Sequence, residues 1–204
     1  MRRRTADCEN GPVATQFGEI SDRLGRFIAA QHMFFVATAA RDGRVNVSPK
    51  GLDSLRVLGP NRVVWLNGTG SGNESAAHIL DSPRMTLMFC ALSGKPLILR
   101  LYGTARAIHE GDTEWEELVG LLPPMRGARN IFDVDIDLVQ TSCGFGVPLF
   151  DYQEQRTLMD SWAAHKGPDG LRRYQHEKNG YSIDGFPTGW PDPGADGFEV
   201  ESAS

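Results

Sequence analysis

The chain has 204 residues, 40% of them hydrophobic and 23% charged, which is the balance of a globular protein with one sizeable core. Its 21 Lys and Arg residues against 26 Asp and Glu residues give a net charge of −5, which offers no broad basic surface and argues against nucleic acid as a partner. No apolar run is long enough to span a bilayer, and polar residues follow the basic first residues where a secretory signal would be apolar. We therefore expect a cytoplasmic protein that does not contact membranes.

The cysteines and histidines are too scattered to predict a metal site or a disulfide framework. Cys8, Cys90 and Cys143 are separated by long gaps, and no Cys-x-x-Cys or His-Glu-x-x-His motif occurs. The sequence therefore predicts reduced thiols and no bound metal ion.

In chain order, the first half predicts one helix and then antiparallel strands. Apolar residues at helical spacing indicate an amphipathic helix over about 15–30. Asp42-Gly43 separates two apolar runs and is typical of a hairpin turn, because glycine adopts positive φ without a steric penalty. The further elements predicted here are strands at 33–39, 45–50, 55–58 and 62–67 and a short helix at 74–81 that ends before Pro83.

The second half continues in the same manner and ends in a polar tail. It predicts strands at 84–92, 96–109 and 132–138 and helices at 114–122, 154–165 and 169–178, with a mobile tail over about the last dozen residues. Asp133, Asp135 and Asp137 alternate with apolar residues and are interpreted as a solvated strand face, since the Gly and Glu of a calcium loop are missing. Hairpin-linked strands without regular βαβ alternation favour a closed or partly closed antiparallel barrel.

The segment from Asn67 to Ser75 is the strongest candidate for a binding site. Three glycines alternate with Thr69, Ser71 and Asn73 between a strand and a helix, where backbone N–H groups can approach an anion closely. The spacing matches neither a Walker loop nor a dinucleotide fingerprint. Two interpretations stay open: a phosphate loop with Lys50 as countercharge, or a flexible turn in which Asn73 or Ser75 caps the helix and Lys50 is an exposed strand-end lysine.

Several segments within about residues 30–110 resemble the pyridoxamine 5'-phosphate oxidase-like family. The Gly-rich loop, together with the strand before it, is similar to that family's phosphate loop. The segments that carry the resemblance are Phe35-Val36-Ala37-Thr38-Ala39, Asp42-Gly43-Arg44-Val45-Asn46-Val47-Ser48-Pro49-Lys50-Gly51, Val63-Val64-Trp65-Leu66-Asn67, Ser82-Pro83-Arg84-Met85-Thr86-Leu87-Met88-Phe89 and Leu101-Tyr102-Gly103-Thr104-Ala105-Arg106.

This resemblance implies a mainly β fold with helical additions, a six-stranded antiparallel split β-barrel that binds FMN and forms a homodimer with two FMN molecules at its interface. It implies a split-barrel domain at 31–150, with a helical extension at 1–30 and a C-terminal helical extension and tail at 151–204. The cofactor-binding residues that it implies are Val47, Ser48, Lys50, Trp65, Asn67, Thr69, Ser71, Gly72 and Asn73.

The chain departs from true pyridoxamine phosphate oxidases at their cationic positions. Val45 stands where those enzymes carry an arginine, and residues 72–75 stand where they carry an Arg-Lys pair. Vitamin B6 phosphate is therefore not the expected substrate, and fewer fixed cations are expected to weaken FMN binding unless backbone donors compensate.

Two kinds of function fit the resemblance. The first is an FMN-dependent oxidoreductase that acts on a small molecule, with a deazaflavin as the alternative cofactor. The second is a flavin or haem carrier without turnover. No catalytic residue is assigned by the sequence, although His78 and Tyr102 are weak candidates, with His78 interpreted as a solvated helix residue.

Overall fold

The computed structural model describes residues 14–190, which form an eight-stranded antiparallel sheet with four helices. The strands are β1 (Ala14–Phe17), β2 (Phe34–Thr38), β3 (Asn46–Lys50), β4 (Leu55–Gly59), β5 (Arg62–Gly68), β6 (Arg84–Cys90), β7 (Ile98–His109) and β8 (Ala128–Ser142). The helices are α1 (Asp22–Ala29), α2 (Glu74–Asp81), α3 (Trp115–Val119) and α4 (Leu158–Asn179).

The sheet curls into a split β-barrel. Its two longest strands, β7 and β8, connect the β3-β2-β6 side of the sheet to the β5-β4 side. The strand order is β3-β2-β6-β7-β8-β5-β4, and the edge of β8 beyond β5 pairs with β1. The main core fills the barrel with large apolar side chains such as Trp65, Phe89 and Phe132, and α1 closes it with Leu24 and Ile28. The predicted mainly β split barrel is confirmed, with eight strands in the described part of the chain where six were expected.

The N-terminal helix prediction is wrong for its first residues. Residues 14–17 form β1, which pairs with the end of β8, and the helix begins only at Asp22 after the N-cap Ser21 accepts a hydrogen bond from the Leu24 amide at 3.4 Å. The reason is non-local: the 15-residue strand β8 extends past β5 and offers these residues an unpaired edge.

The two predicted C-terminal helices are present as the two halves of α4. Gly167 interrupts α4 with a φ of 67°, and Pro168 follows it and starts the second half. The predicted mobile tail falls on residues 191–204, which lie outside the described residues, and the division at 30/31 and 150/151 stays a prediction.

Residues 14–190 lack the features of two other classes of protein. None of their helices is both long and apolar enough to cross a bilayer. No group of three His, Cys, Asp or Glu side chains in this range is arranged to hold a metal ion.

Candidate functional site

Lys50 lies at the end of β3 and contacts two of the other predicted site residues. Its ammonium group donates a hydrogen bond to Asn67 Oδ1 at 3.3 Å and lies 5.2 Å from the centre of the Trp65 ring. Asn67 in turn donates from Nδ2 to Asn130 Oδ1 at 3.0 Å. The three predicted residues Lys50, Trp65 and Asn67 are thus one contact group at the start of the Gly-rich loop.

Arg129 is a buried cation beside this group that the sequence analysis missed. Its Nη1 donates to the Gly72 carbonyl at 2.8 Å, while its Nε is buried without a hydrogen-bond partner among the described residues. In the pairing of β5 with β8, Asn67 faces Asn130 and Gly68 faces Ala128, so Arg129 is the extra residue of a β-bulge. A bulge re-aims a side chain, and no sequence pattern announces it.

The two cations repel each other, and no acid within residues 14–190 forms an ion pair with either of them. Burial, and then the nearby charge of Arg129, lower the pKa of Lys50 from 10.5 to about 8. Burial lowers the pKa of Arg129 to about 10, so the guanidinium keeps its charge at neutral pH. This arrangement favours an anionic ligand, which would offset both charges.

The loop itself is held in place by other parts of the chain. The Thr69 amide and hydroxyl both donate to the Gly127 carbonyl, at 2.8 and 2.7 Å, and the Thr69 hydroxyl oxygen accepts from Gln175 Nε2 at 2.6 Å. The Gly70 carbonyl accepts from Asn179 Nδ2 at 3.0 Å. Both donors of Thr69 therefore fix the loop. Donors to a ligand would have to come from its neighbours in the loop.

Asn73 is the residue of the loop with unused hydrogen-bonding groups. It occupies the N-cap position of α2 but makes no side-chain capping bond, and its Nδ2 and Oδ1 are both buried without a partner among the described residues. Buried polar groups are normally paired, so an unpaired amide next to Arg129 indicates a place for a polar ligand. Ser71 is exposed at the loop tip, and Gly72 connects the loop to Arg129.

The remaining candidates lie on β3, α2 and β7. Val47 is 60% exposed on β3, and the Ser48 hydroxyl donates to Asn46 Oδ1 at 3.1 Å. The interpretation of His78 as a solvated residue is wrong: it is 1% exposed, and its Nδ1 is hydrogen-bonded to the Thr38 hydroxyl at 3.1 Å. Tyr102 donates to Gln140 Oε1 at 3.2 Å on the barrel wall.

A cleft of about 1760 Å³ opens beside Lys50 and Asn67, which both line it. Single small-molecule sites commonly occupy roughly 300–1,000 Å³, so this open cleft is large enough to admit a small molecule. Arg129 and loop residues 69–73 do not line it. Apolar side chains from α1, four strands, the loops that flank β2 and β3, and the chain after β8 form most of its wall, among them Phe27, Met33, Leu52, Met88, Phe150 and Met159.

Comparison with known proteins identifies the family of this chain. A sequence model described as pyridoxamine 5'-phosphate oxidase matches residues 20–143. The pyridoxamine 5'-phosphate oxidase family protein ustO of Aspergillus flavus is 36% identical over 189 residues, which cover 84% of this chain and 76% of that protein. The chain belongs to the pyridoxamine 5'-phosphate oxidase family.

Solved structures similar to this family member are more distant in sequence. A putative pyridoxamine 5'-phosphate oxidase from Lactobacillus delbrueckii matches at 22% identity and a TM-score of 0.49, over 60% of this chain and 94% of that one. The protein HupZ from Group A Streptococcus matches at 17% identity and a TM-score of 0.46, over 58% of this chain and 91% of that one.

Proposed function

We propose that this chain is a flavoprotein that binds FMN, with the phosphate held between Lys50, Arg129 and the Gly-rich loop. The observation that carries the proposal is the pair of cations without an acidic partner in the described residues, next to the unpaired amide of Asn73. A phosphate monoester has a second pKa near 6, so its dianion matches two cations at neutral pH. Arg129 thereby compensates for the Arg-Lys pair that true pyridoxamine phosphate oxidases carry in this loop.

The position of the cleft supports an enzyme rather than a carrier. The cleft opens beside Lys50, where a small molecule could approach the flavin, and bound flavin supplies hydride transfer at a ring nitrogen. The contribution of this chain is to hold the phosphate, to keep the cleft wall apolar, and to position the cofactor through Lys50 and Asn67. We propose a flavin-dependent oxidoreductase that acts on a small molecule.

Replacement of Arg129 tests the cofactor proposal. The Arg129→Met variant keeps much of the apolar volume but removes the charge, and we expect its FMN affinity to fall by about 30-fold or more in calorimetric titration, since a charge-assisted contact contributes ~2 kcal/mol. Riboflavin affinity is expected to change little, because riboflavin has no phosphate.

Arg126 provides the matched control. It lies three residues away, is largely exposed and pairs with Asp160 at 3.4 Å, so Arg126→Met is expected to bind FMN like the unchanged protein. Equal losses in the two variants would contradict the proposal, as would a purified protein that is colourless and rejects added FMN. Mass spectrometry of the released ligand separates FMN from a deazaflavin, and slow, substrate-independent reoxidation would favour a carrier.

We further propose a homodimer. β3 is an end strand of the sheet, and Val45 and Val47 beside its open edge are 70% and 60% exposed, an apolar surface that a second copy would cover. Light scattering is expected to give twice the mass of one chain, and a monomer at micromolar concentration would contradict this.

A further inference from the structure

The end of the described chain forms a roof over the Gly-rich loop. We define this roof as residues 174–188, which comprise the last residues of α4 and the segment after it. Gln175 and Asn179 are buried and bond the loop through Thr69 and the Gly70 carbonyl, at 2.6 and 3.0 Å. Thr188 fixes the roof internally, because its hydroxyl donates to the Asn179 carbonyl at 2.6 Å.

The roof is also anchored on both sides of the loop. The Ile183 amide donates to both carboxylate oxygens of Glu74, each at 3.1 Å, at the start of α2. Asp184 accepts from the Arg44 amide at 2.7 Å and forms an ion pair with the Arg44 side chain, in the turn before β3. The roof therefore connects the loop, α2 and the β2–β3 turn, so it cannot shift without breaking contacts at all three.

The roof leaves the inner end of the candidate phosphate site closed. Arg129 is 4% exposed, Asn73 is 2% exposed and Asn179 is fully buried. Tyr174 on the roof is close enough to Arg129 to influence its pKa. Because these side chains are buried and the roof bonds the loop directly, a group bound beside them would be enclosed by residues 174–188.

We propose that residues 174–188 determine the specificity of the site for a terminal phosphate monoester, so that FMN is accepted and FAD is rejected. The phosphate of FMN ends the molecule, whereas in FAD the same phosphate continues into a second phosphate and an adenosine that would collide with the roof. The inference rests on the proposed function and assigns a specificity role to Gln175 and Asn179, which lie more than 100 residues after the loop.

Titration of FMN, FAD and riboflavin into the full chain tests this inference. We expect the unchanged protein to bind FMN at least about tenfold more tightly than FAD. The Gln175→Ala/Asn179→Ala variant loses both roof bonds to the loop, so its FMN affinity is expected to fall about tenfold and its preference for FMN over FAD to shrink toward unity. The exposed α4 residue His165 lies outside the roof and supplies the control, since His165→Ala is expected to preserve both affinities.

The Gln175→Glu variant covers the case in which the double variant does not fold. It retains the shape of the side chain but brings a carboxylate to the loop, so FMN affinity is expected to fall at least about tenfold while riboflavin affinity stays within about twofold. An equal loss for FMN and riboflavin would overturn the specificity role.

Two other results separate this inference from the proposed function. If the unchanged protein binds FMN and FAD equally, or the double variant keeps the original preference, the roof does not determine specificity although the flavoprotein proposal stands. If the unchanged protein binds none of the three flavins, the proposed function fails and this inference fails with it.

Discussion

At the scale of single residues, the unusual group is Lys50, a half-buried ammonium next to a second cation. Its contacts with Asn67 and Trp65 hold the side chain in place but supply no negative charge. Because its pKa is lowered to about 8, a measurable fraction of the free protein carries neutral Lys50 in mildly alkaline solution. An anionic ligand binds the charged form more tightly, so ligand binding and protonation are coupled.

This coupling predicts how FMN affinity depends on pH. Affinity is expected to be highest between about pH 6.5, where the phosphate is a dianion, and pH 8, and to fall above pH 8 by at most about tenfold per pH unit as Lys50 loses its proton. Calorimetry near pH 8 in buffers of different ionisation enthalpy is expected to detect proton uptake on binding. A Lys50→Met variant should show none of that uptake, and an unchanged uptake would assign the titration to another group.

Gly103 is a second residue whose identity is dictated by its surroundings. It lies at the register shift between β7 and β8, and a β-carbon there would be 2.0 Å from the Asp135 carbonyl oxygen, a backbone atom with little freedom to move. Gly103→Ala is therefore expected to lower the free energy of unfolding by about 2 kcal/mol or more in urea titrations.

Gly59 in β4 is the matched control, because a β-carbon there meets nothing within 4 Å. Gly59→Ala is expected to leave stability unchanged or to raise it slightly, since alanine restricts the unfolded chain. A similar loss in both variants would mean that the close approach at Gly103 is not the cause.

At the scale of elements, one buried carboxylate joins the three central strands. Asp133 on β8 accepts hydrogen bonds from Arg62 on β5, at 2.9 and 3.0 Å, and from Arg106 on β7, at 2.7 Å. The prediction that Asp133 belongs to a solvated face is wrong, because it is 6% exposed, whereas Asp135 and Asp137 are exposed as expected. Burial alone would raise the pKa of Asp133, but the hydrogen bonds and charges of the two arginines lower it.

Removal of this carboxylate is expected to destabilise the sheet. Asp133→Asn removes the carboxylate that Arg62 and Arg106 share, although Arg106 keeps its ion pair with Glu114, and should lower the free energy of unfolding by about 1–3 kcal/mol at pH 7. Since the folded pKa lies below the unfolded value near 4, the stabilisation is present above about pH 4 and lost as pH falls through the folded pKa. The difference between the two proteins in denaturant titrations should therefore shrink toward pH 2, and Asp137→Asn should show no difference at either pH.

Elements with local signals were predictable from the sequence, and elements made by distant pairing were not. The bounds of α2 follow from the loop before it and from Pro83 after it, and the Asp42-Gly43 turn lies within the β2–β3 hairpin, so both could be located. β1 could not be located, because only the distant edge of β8 makes residues 14–17 a strand. Arg129 was missed for the same reason, since its position depends on the register between β5 and β8.

At the scale of the whole molecule, the candidate site is assembled from segments that lie far apart in the described chain. β3 supplies Lys50, β5 supplies Asn67, β8 supplies Arg129, and the roof bonds the loop. The Gly-rich loop and Lys50 were predicted because they resemble a known family, whereas the roof has no motif of its own. A split barrel of this kind fixes the floor of the site, and the segment after it sets how far a ligand can extend.

The bonds between the roof and the loop can form only late in protein synthesis. Thr69 meets its partner Gln175 106 residues later in the chain, and Gly70 meets Asn179 109 residues later. A nascent polypeptide leaves the ribosome from its N-terminus, so the barrel strands emerge first while the loop still lacks these two side chains. The proposed anion site is thus complete only after residues 175 and 179 have left the ribosome.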